Sequence, residues 1–299
     1  MYAQIATAMS PQPMLAMWMP EPVTTCVLTD SAKAEVLELL AAQPLDNVML
    51  IGFILDNGLS DSINNRGTFY GCRNRAGELE GVALIGHVTL IEARTDRALI
   101  RFAELASECT TTHLIMGEDH RVCEFWEHYT DGRQAIRRAC REQFLEFRSP
   151  CAAVPLVSGL RLATPDDLDL TMPVHAQMAF DESGVNPMET DPEGFRARCL
   201  RRMEKSRTWV WIESGELIFK ADIVSDTPDV VYLEGVWTNP KYRSRGHGLR
   251  CISQLISQLR SGNQRRSVCV FVNEENPGAL RFYERAGFER QGVFDTAFL

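Results

Sequence analysis

Apolar residues fall at helical spacing in the first stretch with a clear pattern. Ala34, Val36, Leu37, Leu39 and Leu40 follow Thr29-Asp30-Ser31, a capping triplet, and predict a helix through Ala41. A second helical run covers Asp46 to Leu55. The pattern then changes to strand-like runs at Thr68–Cys72 and Gly81–Ile91, joined by a turn at 74–77. Thr95-Asp96 cap a helix over 97–107. His113–Met116 forms a short strand, 118–129 a helix and Gln143–Phe147 a last strand. The predicted order of this half is ααββαβαβ.

The same alternation resumes at residue 160. Leu160–Ala163 is a short strand. Thr164-Pro165-Asp166-Asp167 starts a helix with a capping Thr, Pro at the first helical position and acids in the first turn; it runs to about Phe180. Asp181 and Glu182 are assigned to the polar loop that follows. Asp191-Pro192-Glu193 start another helix, continuing to Lys205. Strands follow at 208–212, 217–223 and 230–236, then a basic turn and an amphipathic helix with Leu249, Ile252, Leu255, Ile256 and Leu259 on one face. Val268–Val272 reads as a buried strand, 279–285 as a helix, and 288–298 as the closing strand or hairpin. This half reads βααβββαβαβ. The fold class is therefore α/β (α+β).

Between the halves, residues 148–159 carry two prolines and little periodicity. The expected organisation is a disordered extension at 1–20, a first domain at 21–150, a linker at 151–159 and a second domain at 160–299. The chain's 299 residues suffice for two domains, and its apolar (45%) and charged (24%) fractions are those of a soluble globular protein. A formal charge of −9 argues against a general nucleic-acid binder. No apolar run reads as membrane-spanning, so neither nucleic acid nor membrane is an expected partner. The apolar start lacks the positive region of a secretory signal, its first basic residue being Lys33. Nine dispersed cysteines without a Cys-x-x-Cys pair read as reduced thiols of a cytoplasmic protein. His113, His120 and His128 lie close in sequence, but no third ligand has suitable spacing, and no metal is expected.

The chemistry concentrates at 231–251. An apolar strand passes through Arg243-Ser244-Arg245-Gly246-His247-Gly248 into a helix. The free N–H groups and dipole of a helix start favour an anion, and glycines let a phosphate approach the backbone. A Rossmann fingerprint fits poorly, because Cys251 stands where a third Gly belongs, and no P-loop lysine follows. The corresponding step in the first half, Ala93-Arg94-Thr95-Asp96, lacks the glycines and carries an acid. One strand beyond the basic turn lies a second motif, Asn276-x-x-Ala279-x-x-x-Tyr283-x-x-x-Gly287-Phe288.

The two motifs together resemble the GNAT superfamily of acetyl-coenzyme A-dependent N-acetyltransferases. Val236, Pro240, Arg243, Gly246 and Gly248 match the first family pattern, and Asn276 through Phe288 the second. The resemblance covers about 160–299, and the whole chain is similar to a two-domain bacterial subgroup in which a GNAT-like N-terminal domain without the cofactor motif precedes the active one. It implies two tandem GNAT-like domains, each a mixed, mainly antiparallel sheet flanked by helices. It also implies acetyl-coenzyme A as co-substrate, without metal, and a small-molecule or peptide amine as acceptor, in a monomer or homodimer.

Residue by residue, the resemblance assigns the coenzyme A diphosphate to Arg243, Ser244, Arg245, Gly246, His247, Gly248 and Leu249. The pantetheine arm falls to the strand ending at Val236-Trp237 and to Asn276; Ala279 and Phe282 stand among the cofactor-binding residues, though for Phe282, as for Phe288, packing is the favoured reading. A backbone N–H near Val236 would polarise the acetyl carbonyl. Tyr283 stands at the position of the acid that protonates the leaving thiolate; the alternative is an aromatic packed on its helix. An alkylammonium must lose a proton before it attacks, and Glu234 sits in the strand where the family often carries a base or water-holder. The alternative is an ion-paired structural Glu. Asp181 and Glu182 would bind a cationic amine or be solvated. A non-catalytic acyl-coenzyme A sensor, transfer of another acyl group, and a peptide N-terminus as acceptor remain open, because function lives in the acceptor site.

Overall fold

The computed structural model describes residues 22–129, 135–149, 156–263 and 266–299. The extension expected at 1–20 lies outside them, as do residues 151–155 of the expected linker. The first half comprises β1 (Thr24–Val27), α1 (Lys33–Leu40), α2 (Val48–Asn57), α3 (Ser62–Asn65), β2 (Gly67–Arg73), β3 (Leu79–Gly86), β4 (Val88–Ala93), α4 (Asp96–Ser107), β5 (Leu114–Glu118), α5 (Asp119–His128) and β6 (Arg138–Phe147). The second comprises β7 (Leu160–Leu162), α6 (Leu168–Ser183), α7 (Pro187–Thr190), α8 (Pro192–Glu204), β8 (Thr208–Glu213), β9 (Glu216–Asp226), β10 (Val230–Thr238), α9 (His247–Leu259), β11 (Ser267–Asn273), α10 (Pro277–Ala286) and β12 (Glu289–Phe298).

All twelve strands join one sheet in the order β1-β2-β3-β4-β5-β12-β6-β11-β10-β9-β8-β7. The halves exchange their last strands. β6 pairs with β11 of the second half, and β12 inserts between β5 and β6. Each half contains one parallel contact, β4 with β5 and β10 with β11; the other pairings are antiparallel.

Helices cover both faces. α1 and α2 bury Val36, Leu40, Val48, Ile51 and Ile54 over the centre of the sheet, where Phe144 and Tyr232 join the same cluster. α2 belongs to the first half yet packs on β9, so closely that a Cβ on Gly52 would sit 2.3 Å from the Ser225 hydroxyl oxygen. On the opposite face, Cys251, Ile252, Leu255 and Ile256 of α9 and Tyr283 of α10 close over β6 and β9–β11. α4 covers the first half through Leu99, Phe102 and Ala103. Thr95 caps α4 by accepting the Ala98 N–H, as a Thr preceding an amphipathic run should.

Several elements differ from the pattern-based expectation. The apolar run 81–91 is not one strand. It is the hairpin β3–β4, pairing Gly81 with Ala93 and Leu84 with Leu90. The reversal falls at Gly86-His87, where one glycine and one half-buried histidine are the whole of the break between two largely apolar arms. Gly86 permits it, since a Cβ there would lie 2.3 Å from the Arg66 carbonyl oxygen. The first helix after residue 160 does not stop near Phe180. It continues through Asp181 and Glu182 to Ser183 and ends at Gly184, whose φ of +73° gives the left-handed cap that glycine favours. β6 begins at Arg138, five residues before its predicted start. No helix among the described residues is long and apolar enough to cross a membrane.

Candidate active site

The site begins where β10 and β11 part. They run parallel only from Val230 to Tyr232, opposite Ser267 to Cys269. Beyond that point they splay. On its other side β10 pairs Glu234 with Asp222 and Trp237 with Lys220, which leaves one residue too many on β10. The surplus is a bulge at Gly235–Val236, with Gly235 at φ +59°. Backbone groups that would complete a ladder face the gap instead. The gap opens into a cleft of about 1390 Å³.

α9 aims its start at this cleft. Gly246, at φ +77°, caps it, and Ser244 before it is also left-handed, at φ +60°. Gly248 lies against Thr238 and Phe282. A Cβ there would come within 2.6 Å of the Thr238 hydroxyl oxygen and 3.2 Å of the Phe282 ring. The His247 ring stands edge-on to Trp211 at 5.1 Å, and its buried Nδ1 has no hydrogen-bond partner among the described residues. Arg243 donates from Nε to the Thr238 carbonyl, 2.9 Å away, and still lines the cleft. A helix start with glycines, an arginine and an unsatisfied imidazole nitrogen fits a diphosphate.

Of the residues singled out from sequence, Val236, Trp237, Arg243, Ser244, Gly246, His247, Gly248, Leu249, Asn276, Ala279, Phe282, Tyr283, Glu234, Asp181 and Glu182 all line this one cleft. Arg245 does not; its guanidinium lies over the Tyr242 ring, 5.8 Å from the centroid. Lys241, in the same basic turn, is held by Glu216 at 2.7 Å. Asn276 spends its side-chain oxygen on capping α10, accepting the Ala279 N–H at 3.0 Å. Tyr283 is buried against Phe282 and Phe288. Burial raises its phenol well above the ordinary range, so the group stays protonated.

Glu234 faces the open cleft, so water touches its carboxylate, yet protein surrounds that water-filled gap on its other sides. Burial pushes its pKa up, Arg202 pulls it down, and Asp222 pushes it up again. Asp181 and Glu182 reach the cleft from the last turn of α6, not from a loop. Glu182 is exposed to the cleft, yet the protein around that gap raises it, Glu234 and Glu142 raise it further, and Arg138 opposes them.

Four features of the cleft were not anticipated. Glu142 of β6 enters from the first half, 8% exposed, accepting the Thr296 hydroxyl at 2.6 Å. Burial lifts its pKa to about 7. Arg202 of α8 lies 3.6 Å from Asp222. Beneath the bulge, fully buried Lys220 donates to Asp222 at 2.7 Å and to the Gly235 carbonyl at 2.8 Å. His175 completes this group, with Nδ1 3.4 Å from Asp222. Burial alone would raise Asp222, but the charge of Lys220 overrides it and holds the acid at about 2. Burial takes His175 down to about 3, so its ring is neutral. A two-residue count along 138–147 and 216–226 would have found the first and third of these. It puts Glu142 on one face with Phe144, and Lys220 with Asp222.

A splayed parallel pair, a bulge at the splay, and a glycine-rich helix start on the same cleft now stand together. Residues 175–288 match the family model of the acetyltransferase (GNAT) family. Over 65 residues, 22% of this chain, the sequence is 35% identical to an uncharacterised N-acetyltransferase of Methanocaldococcus jannaschii, and the aligned stretch spans 28% of that relative. A GNAT-family acetyltransferase of Colwellia psychrerythraea superposes with a TM-score of 0.57 at 10% identity, covering 92% of this chain and all (100%) of that one. A tandem GNAT protein from the clavulanic acid biosynthesis pathway gives 0.56 at 16% identity, covering 93% and 98%. At such identities the likeness is one of fold: two GNAT-like domains in tandem, each with a mixed, mainly antiparallel sheet flanked by helices.

The GNAT-like step of the first half is different. β4 and β5 also part, but the cavity there is about 270 Å³ and is lined by Asp46, Glu92 and Glu118. Thr95 and Asp96 occupy the start of α4, where the second half has glycines and arginines.

Proposed function

We propose that the chain is an N-acetyltransferase that moves an acetyl group from acetyl-coenzyme A to a primary amine by direct attack in a ternary complex. The observation that carries this reading is the bulge at Gly235–Val236, opening onto the same cleft as the α9 start. The first supplies donors for an oxyanion, the second a cradle for phosphates. In this reading the first half binds no coenzyme A, in keeping with its small acidic cavity.

Acetyl-coenzyme A supplies an activated acetyl thioester; a C–N bond forms, the C–S bond breaks, and the amine loses one proton while the sulfur gains one. Glu234 accepts the proton from the amine, directly or through a water. Its raised pKa brings it closer to the amine's own and makes it a better base than an exposed glutamate. The bulge N–H groups hold the developing oxyanion in place without reorganising. Tyr283 donates a proton to the leaving sulfur, its phenol kept in the acid form by burial. Lys220 fixes the bulge by holding the Gly235 carbonyl from below, and so acts as a positioning residue. Gly246, His247, Gly248 and Arg243 hold the diphosphate, and Val236, Trp237, Asn276, Ala279 and Phe282 border the pantetheine arm.

The test is thiol release from acetyl-coenzyme A across a panel of amines and peptide N-termini, with Tyr283→Phe as the diagnostic variant. The expected result is amine-dependent thiol release that falls about 100-fold in Tyr283→Phe, with coenzyme A affinity within about twofold of wild type. Calorimetric binding of acetyl-coenzyme A without thiol release on any amine would replace the transferase with an acyl-coenzyme A sensor.

A further inference from the structure

Three carboxylates meet at the acceptor end of the cleft from three elements: Glu142 of β6, Glu182 of α6 and Glu234 of β10. Among the described residues none of the three forms an ion pair. Glu142 is the most enclosed. Thr296 donates to its Oε2, no described residue donates to its Oε1, and the residue is 8% exposed on the wall of the cleft. Glu182 lies over the start of β6, where Arg138 donates to the Asp181 carbonyl at 2.9 Å. The carboxylate of Glu182 makes no hydrogen bond to a described residue.

Two of the cations nearby are committed to Asp222, while Arg138, which donates to the Asp181 carbonyl, bears on Glu182 and lowers it. Lys220 and Arg202 both serve Asp222, and His175 beside them is neutral. The other groups that bear on the cluster are Tyr232 and Asp295, and both add to its cost when ionised. Buried carboxylates in native proteins are paired or bind a cation. One reacting ammonium can answer Glu234, which stands beside the bulge. It leaves the buried Glu142 without a cation, and Glu182, which is exposed to the cleft, with only the charge of Arg138 near it.

We propose that the acceptor is a linear diamine or polyamine, whose second ammonium group is held by Glu142 and Glu182 while its first nitrogen reacts beside Glu234. This rests on the transferase reading and narrows its substrate. The pKa directions agree. The surrounding protein raises Glu142 and Glu182, Glu234 repels both and Glu142 adds to the repulsion on Glu182, so an arriving ammonium drives protons off them.

The experiment compares putrescine, cadaverine and spermidine with n-pentylamine and n-hexylamine on the full chain, in wild type and in Glu142→Gln and Glu182→Gln. The expected preference for the diamines in kcat/KM is about 100-fold. Each Gln variant should reduce that preference about tenfold, chiefly through the diamine KM. Gln keeps the size and can still accept from Thr296, so a loss reports the charge. Calorimetry of cadaverine with coenzyme A present, in buffers of different ionisation enthalpy, should detect proton release on binding that the Gln variants diminish. Equal use of diamines and monoamines, or a preference unchanged in both variants, overturns the proposal. If no amine releases thiol, the transferase reading fails, and cadaverine binding with proton release still decides the inference. Absence of such binding overturns it too.

Discussion

Glu142→Gln should stabilise the protein, by an amount that grows as pH rises from about 4.5, where the carboxyl of the unfolded chain ionises, to about 7, where that of the folded protein does. Burial lifts this group from 4.5 to about 7, with Glu234 and Asp295 adding repulsion and the Thr296 hydrogen bond opposing them. At 1.36 kcal/mol per pKa unit the shift corresponds to about 3 kcal/mol in favour of the protonated form. The folded state therefore binds more protons than the unfolded chain between these two values. Stability falls as pH rises through that window, and the whole penalty is present above about pH 7. Gln carries no charge to bury and retains an oxygen for Thr296. The difference between variant and wild type should be near zero at about pH 4.5 and grow to about 2–3 kcal/mol at about pH 8. Removing Glu142 also relieves Glu182 and Glu234, which adds in the same direction. Urea denaturation of both proteins across this range reads the difference directly, because other titrating groups largely cancel. A constant difference across the range, or a variant less stable at about pH 8, would refute the reasoning.

Two further outcomes follow from the geometry. Gly248→Val adds a branched side chain where even a Cβ would meet Thr238 at 2.6 Å. Coenzyme A affinity by calorimetry should fall at least about tenfold, with a stability loss of about 1–3 kcal/mol from overpacking. Lys220→Met leaves Asp222 buried without its main partner, and breaking such a pair costs about 3–5 kcal/mol. Adding Asp222→Leu should recover much of that stability in urea but little of the turnover, because the Gly235 carbonyl has still lost its donor. Full recovery of kcat in the double variant would remove Lys220 as the residue that positions the bulge.

The helix starts and the glycine-rich wall of the cleft were legible because each depends on residues close in sequence. Thr95 before an amphipathic run, and Gly246-His247-Gly248 before another, carry their geometry locally. The strand exchange was not legible, since β6 and β12 have the composition of buried strands whichever neighbour they join. Glu142 was hidden for the same reason: its importance comes from β11 and β12 on either side of it, far away in sequence. The loop assigned to Asp181 and Glu182 followed from their polarity, which competes with helix continuation. Gly184 marks the true end, and its left-handed φ is the physical reason the helix stops there. The hairpin within 81–91 escaped because its turn is only Gly86-His87, too short a break to interrupt the apolar run on either side.

The exchange of strands also puts a residue of the first half into the wall of the second half's cleft. Glu142 belongs to the first half and lines the cleft of the second, and Thr296, which holds it, belongs to the second half's last strand. β12 in turn pairs with β5 of the first half over five residue pairs, Phe294 to Phe298 with Glu118 to Leu114. α2 lies across β9 from the other side, and Arg207 of the second half donates to Asp56 at its end, 2.7 Å away. Neither sheet half is complete without a strand from the other. A carboxylate as enclosed as Glu142 destabilises the fold that holds it, so its place is best explained by a cation it receives. In the proposed reaction the anchor for that cation lies across the strand exchange from the residues assigned to acetyl transfer.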